Sequence, residues 1–279
     1  MKIVETITEI KNELSKVRKL NKTIGFVPTM GALHEGHLQL VKRSIRESGF
    51  TVVSIYVNPT QFNDPNDLNA YPRNLSEDVE KLKSVGCDLL FYPSNEAIYP
   101  QGYKLINIDL DDLENVLEGK YRPGHFDGVV TVVSRFFQII EPNQAYFGEK
   151  DYQQLLIVQK VADSVSREIK IVPCPIEREV GGLAMSSRNK RLSDKQKLEA
   201  QVLSKVLEQS RSKIKKWSIS ETENWAIKQL NQNSNLELEY FKIVDQDNLK
   251  VVKLQGKEGL RAFVAAMIGG VRLIDNMKL

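Results

Sequence analysis

The sequence predicts an α/β protein: a doubly wound parallel sheet followed by a smaller α+β domain. Three observations carry this. Short apolar runs at residues 23–27, 51–57, 88–92, 144–147 and 167–174 alternate with segments whose apolar positions recur at helical spacing. Two of the strand-to-helix junctions, near residues 31–36 and at residue 148, are glycine turns, where free N–H groups and the helix dipole favour an anion. From residue 193 the order changes to two helices and then three short strands, 237–244, 260–267 and 271–276, with no long helix between the strands.

Composition sets the limits. The chain of 279 residues is long enough to bury a full core, and 41% hydrophobic with 27% charged residues excludes a disordered chain. A net charge of +3 and a pI near 8.6 are too mild to imply a nucleic-acid partner. Cys87 and Cys174 stand far apart with no C-x-x-C, which argues against a disulfide framework or structural zinc and for a reducing, cytoplasmic setting. Ile3, Ile7, Ile10, Leu14 and Val17 mark an amphipathic N-terminal helix, not a signal peptide. The most apolar stretch, 263–271, is too short for a bilayer, which needs about 20 residues, so no membrane partner is expected.

The stretch 23–44, TIGFVPTMGALHEGHLQLVKRS, organises the rest. An apolar strand closes at Pro28, the chain turns through Gly31 and Gly36, and Leu38, Val41 and Ile45 define a helix that runs to Gly49. His34 and His37, two of the three histidines, sit three residues apart at the helix start, placed to donate to a triphosphate. Their other reading is a pair of surface or capping histidines.

The second strand ends in Asn58-Pro59, and the uncharged Gln61 follows where open sheets bind small ligands, beyond the strand ends. Ser76 is the expected cap of a helix running to about residue 85, with Glu77 and Asp78 in its first turn as partners of the helix dipole. Residues 109–119 are an acidic helix candidate, and 121–128, with two glycines and a proline, a loop leading into the helix 129–140. Arg122 and His125 in that loop suit an anion or a loop salt bridge. Gly148-Glu149-Lys150-Asp151 repeats the strand, glycine turn, helix order, and Lys150 can neutralise phosphate charge. Gln154, early in the helix 152–165, is expected to meet Gln61 across a pocket. Arg178–Asn189 combines two glycines with two hydroxyls and an arginine in sequence, Ser186-Ser187-Arg188, as a mobile loop that wraps a triphosphate does. Ser193-x-x-Gln196 and Ser220-x-x-Glu223 read as capping boxes for helices 194–216 and 221–233.

The strings H-E-G-H, F-V-P-T-M-G-A-L-H-E-G-H, N-P-T-Q-F, Y-R-P-G-H-F-D-G-V, F-G-E-K-D-Y-Q-Q and G-L-A-M-S-S-R-N, scattered over residues 26–189, resemble the pantothenate synthetase (pantoate–β-alanine ligase) family. This family belongs to the H-x-G-H nucleotidyltransferase superfamily. The resemblance implies a Rossmann-like domain over 1–176 and a smaller domain over 177–279 that carries the mobile M-S-S-R loop. It implies ATP-dependent joining of pantoate and β-alanine through pantoyl adenylate, with Mg2+ and a homodimer. On this resemblance His34, His37 and Lys150 are the catalytic candidates. ATP contacts fall to Met30, Gly31, Ala32, Leu33, His34, Glu35, Gly36, His37, Gly148, Glu149, Lys150, Asp151, Glu177, Met185, Ser186, Ser187 and Arg188. Gln61 holds pantoate and β-alanine and Gln154 touches pantoate, with Arg122 and His125 beside them, and Glu77 or Asp78 approaches magnesium indirectly.

Two positions depart from the family pattern: Glu177 replaces a small aliphatic residue and Gly181 an aspartate. Two rival readings are a related enzyme that adenylylates a phosphorylated precursor, and a non-catalytic RNA-binding module using the basic face of 190–216. The first needs several cations where this chain offers Gln61 and Gln154.

Overall fold

The computed structural model describes residues 1–103, 107–166, 168–252 and 258–279. The described chain falls into two compact units, one of residues 1–149 and 153–175 and the other of residues 150–152 and 176–279.

The first unit is a six-stranded, all-parallel sheet. Its strands are β1 (Lys2–Val4), β2 (Ile24–Thr29), β3 (Phe50–Ile55), β4 (Leu89–Phe91), β5 (Gln144–Gly148) and β6 (Lys170–Cys174), in the order β1-β4-β3-β2-β5-β6. The direction of winding reverses between β2 and β5, which makes the ends of those strands the place for a ligand in an open sheet. Alternation along β2 shows why both faces are covered. Val27 packs in a cluster with Leu33, Val41, Val53 and Leu90, whereas Phe26 meets the ring of Phe136 at 5.5 Å. The helices here are α1 (Ile7–Lys19), α2 (Glu35–Glu47), α3 (Pro65–Asn69), α4 (Leu75–Ser84), α5 (Asn95–Ile98), α6 (Leu117–Tyr121), α7 (His125–Ile140) and α8 (Tyr152–Val165), whose first residue belongs to the second unit.

In the second unit, α9 (Asp194–Lys213) and α10 (Ile219–Leu230) precede an antiparallel sheet of β7 (Leu236–Asp245), β8 (Leu260–Ile268) and β9 (Val271–Lys278). Thr222, Ala226 and Leu230, spaced by four, bury one stripe of α10, and Leu203, Leu207, Phe241 and Val264 lie in the same core.

Several local expectations need correction. The N-terminal segment opens with a strand, β1, before its helix, since Val4 is buried at the sheet edge and only Ile10, Leu14 and Val17 are buried on α1. Pro28 lies inside β2: pairing with β5 involves only Gly25 and Phe26, so its missing N–H falls beyond the doubly paired part. Asn74, not Ser76, caps α4, a register that buries Asp78 and Leu82 on one face. Residues 109–116 form turns rather than an acidic helix, because the Asp109 carboxylate takes the Asp111 N–H at 2.9 Å and Asp111 and Leu117 have positive φ. His125–Gly128 is the first turn of α7 and not a loop. Ser218, not Ser220, caps α10 in a capping box with Glu221, while Glu223 accepts the N–H of Ile243 at 2.7 Å. α9 ends at Lys213. The expected strand start at Arg167 lies outside the described residues, and the strand that is described begins at Lys170.

Candidate active site

Between β2 and α2 the chain passes through Gly31 (φ 80°) and Ala32 (φ 50°), a left-handed pair that costs energy at the alanine. Asp78 holds it. Its Oδ2 and Oδ1 accept the N–H groups of Ala32 and Leu33 at 2.8 and 2.7 Å, and the side chain is only 2% exposed. Burial pushes the Asp78 carboxyl above its ordinary range, against the two N–H donors that pull it down. Lys81 donates to the Leu33 carbonyl at 2.7 Å and pairs with Glu77, which also accepts from Asn74. The two acids therefore differ: Asp78 is buried under the turn and Glu77 is exposed.

His34 is the N-cap residue of α2 and His37 its third position, so the capping reading is part of the geometry. Their rings lie 4.0 Å apart at 36°. The His34 N–H approaches His37 Nδ1 at 3.4 Å, which requires that nitrogen to be an acceptor and puts the neutral ring's proton on Nε2. Both rings are half-buried.

Beyond β3, a single 3-10 turn, Pro59–Gln61, carries Gln61. The Gln61 side chain is held from both ends: Asn58 Nδ2 donates to its Oε1 at 3.1 Å, and its Nε2 donates to Met30 Sδ at 3.1 Å. Asn58 is 1% exposed, and it also donates to the Gly128 carbonyl at 3.1 Å and accepts from the Tyr99 hydroxyl at 2.9 Å. In the sequence Asn58 reads only as a turn residue beside Pro59, and its signal as a partner of Gln61 is a polar side chain at the end of an apolar strand. α7 approaches so closely that a Cβ at Gly128 would lie 2.5 Å from the Thr60 carbonyl oxygen, so only glycine fits there.

His125 and Arg122 extend this cluster. Arg122 Nη1 lies 3.1 Å from His125 Nε2, and His125 Nδ1 lies 2.8 Å from the Gln61 carbonyl oxygen. A guanidinium can only donate, so Nε2 is the acceptor and Nδ1–H donates to Gln61. Gln154 is half-buried on α8, and among the described residues no hydrogen bond joins it to Gln61. Its neighbour Gln153 is buried instead, accepting from the Glu118 N–H at 2.9 Å and donating to the Val116 carbonyl at 2.9 Å.

In the second unit Lys150 lies in a 3-10 turn with its Nζ 3.6 Å from Asp151 Oδ1. Gly148 and Glu149, which precede it in the first unit, are half-buried. Residues 177–185 fold back on themselves: the Met185 N–H reaches the Glu177 carbonyl at 2.9 Å, and Glu179 N–H the Leu183 carbonyl at 2.8 Å. Arg178 donates to both carboxylate oxygens of the buried Asp275, at 2.6 and 3.0 Å. Ser186 Oγ caps the short helix Ser187–Arg191, and Asn189 donates to Glu179 at 2.6 Å and to the Ala184 carbonyl at 3.0 Å. Gly181 has φ 97°, a backbone conformation that strains any side chain, which gives a local reason for the missing aspartate.

Among the described residues no group of three or more His, Cys, Asp or Glu side chains comes together as a metal cluster, and no helix is long and apolar enough to cross a membrane. An all-parallel doubly wound sheet with paired histidines at a strand-to-helix turn defines an α/β nucleotide-handling protein.

The comparisons make this particular. The family model described as Pantoate-beta-alanine ligase matches residues 2–278. A pantothenate synthetase from Flavobacterium psychrophilum is 46% identical over 281 residues, covering 100% of both chains. A solved pantothenate synthetase from Thermus thermophilus superposes with a TM-score of 0.94 at 40% identity, over 100% of this chain and 99% of that one. A pantoate-beta-alanine ligase from Francisella tularensis, solved with beta-gamma ATP and beta-alanine, gives a TM-score of 0.83 at 39% identity, over 100% and 97%. The chain belongs to the pantoate-beta-alanine ligase family. ATP-dependent condensation of pantoate with β-alanine, a step of pantothenate biosynthesis, is that family's reaction, and the chain is a ligase of this kind.

Proposed function

We propose that the reaction runs through pantoyl adenylate: the pantoate carboxylate attacks the α-phosphate of ATP, pyrophosphate leaves, and the amine of β-alanine then displaces AMP from the acyl carbon. The first step brings like charges together, so the main task of the protein is electrostatic. His34 and His37 donate to the phosphates and Lys150 neutralises charge at the α-phosphate. Ser186, Ser187 and Arg188 wrap the triphosphate, and closure of the 185–188 segment keeps water from the adenylate. Met30 to Leu33, Glu35, Gly36, Gly148, Glu149, Asp151, Glu177 and Met185 complete the ATP contacts.

The observation that carries this reading is the fixation of Gln61. Its amide is tied to Met30, the first residue after β2, and its carbonyl to His125, so a neutral hydrogen-bonding group stands beside the histidine turn. That suits a hydroxy acid held by amides, Gln61 and Gln154, with Arg122 behind His125. The β-alanine in the Francisella tularensis complex supports the same substrate class, with Gln61 also serving the amine.

The acids present fit magnesium only through water, since both Asp78 oxygens already accept N–H groups and Glu77 is paired with Lys81. Bound with the triphosphate, the ion would neutralise phosphate charge, and Glu77 or Asp78 would hold its water shell. A cytoplasmic homodimer completes the proposal, and size-exclusion chromatography with light scattering tests the dimer. The chemistry is tested by incubation with ATP, magnesium, pantoate carrying labelled carboxyl oxygen, and β-alanine. Label in AMP is the expected result; ADP as product, or label in inorganic phosphate, excludes the adenylate.

A further inference from the structure

Asn276 and Arg261 are buried polar residues, 1% and 6% exposed, that the mechanism above leaves without a task. Buried side chains of this kind are placed by specific partners. Asn276 Nδ2 donates to the backbone carbonyl of Lys150 at 2.9 Å, across 126 residues of sequence. Its Oδ1 accepts from Arg261 Nη1 at 2.5 Å, and the Arg261 guanidinium lies 3.7 Å from the ring centre of Tyr152, two residues beyond Lys150. The Tyr152 ring in turn meets Phe263 at 6.0 Å. β8 and β9 thus grip the 150–152 segment at its first and last residues.

We propose that Asn276, braced by Arg261, is a positioning residue for Lys150, setting the backbone from which the ammonium reaches the α-phosphate. This rests on the reading of Lys150 as the α-phosphate cation. Both partners act through the 150–152 backbone. A cation displaced by a fraction of an ångström loses transition-state stabilisation, while substrate affinity changes little.

Asn276→Asp isolates the effect, because it keeps the acceptor for Arg261 and removes the donor to Lys150. Single-turnover adenylate formation is expected to slow about tenfold, the worth of roughly one hydrogen bond, with KM for ATP and aminolysis of supplied pantoyl adenylate unchanged. In a Lys150→Ala background the same substitution is expected to add nothing. A wild-type rate for Asn276→Asp, or losses that multiply in the double variant, overturns the proposal. Full activity of Lys150→Ala alone instead removes the role of Lys150 itself. Where Asn276→Asp melts below the assay temperature, Arg261→Lys takes its place: a slower adenylation that vanishes as a difference in the Lys150→Ala background supports the proposal, and multiplied losses overturn it.

Discussion

His125 Nδ1 donates to the backbone carbonyl of Gln61 at 2.8 Å, so the first turn of α7 fixes the residue that stands beside the histidine turn. The bond runs to the main chain, which means that it orients Gln61 whatever its side chain does. His125→Ala is expected to raise KM for pantoate about three- to tenfold, the worth of one hydrogen bond, and to leave KM for ATP within about twofold. Steady-state kinetics with each substrate varied in turn check this.

His34→Ala and His37→Ala are each expected to slow adenylate formation about 10²–10³-fold, as loss of an oxyanion donor does. His34 also occupies the N-cap position of α2, so any change in stability is measured beside the change in rate. Single-turnover pyrophosphate release with ATP and pantoate, and urea melts, separate the two effects. Near-normal pyrophosphate release from either variant would leave that histidine a structural residue of the helix start and nothing more.

Gln154→Ala is expected to raise the pantoate requirement with ATP binding nearly intact, as unpaired substrate hydroxyls cost roughly 1–3 kcal/mol. Gln61→Ala is expected to weaken use of both pantoate and β-alanine. Isothermal titration with each substrate distinguishes them, and equal losses for ATP would contradict the assignment.

Asp78→Ala removes both acceptors that hold Ala32 and Leu33, at an expected cost of about 2–4 kcal/mol. Glu77→Gln, on an exposed side chain, is expected to leave stability unchanged and to raise the magnesium concentration needed for half-maximal rate. Urea melts and a magnesium titration of the same two variants decide which acid serves the ion.

Burial pushes the Cys87 thiol from 9.0 up to about 12. The folded protein therefore keeps this proton over a range where the unfolded chain releases it, and stability is expected to fall as pH rises through that window. The slope from this one group is at most about 1.4 kcal/mol per pH unit. Urea melts at about pH 8, 9.5 and 10.5, with Cys87→Ala as the flatter comparison, measure it.

The alternation of parallel strands and crossover helices is legible from the residues alone, because buried strands and amphipathic helices each leave a period that needs no distant partner. The sequence also marks the two glycine turns that carry His34 and Lys150. What it left undecided was set by contacts far along the chain. Ser76 and Ser220 satisfy a capping pattern as well as Asn74 and Ser218 do; the choice falls to the register that buries Asp78 with Leu82, and Thr222 with Ala226 and Leu230. Gln153 and Gln154 are indistinguishable as letters, and only packing against 113–118 buries one of them. Asn58 read as a turn and proved to be the residue that holds Gln61, because Gly128 lets α7 close over it. Local periodicity reports which face of a segment is buried; only the tertiary structure reports what lies against that face, and a buried polar group takes its meaning from that partner.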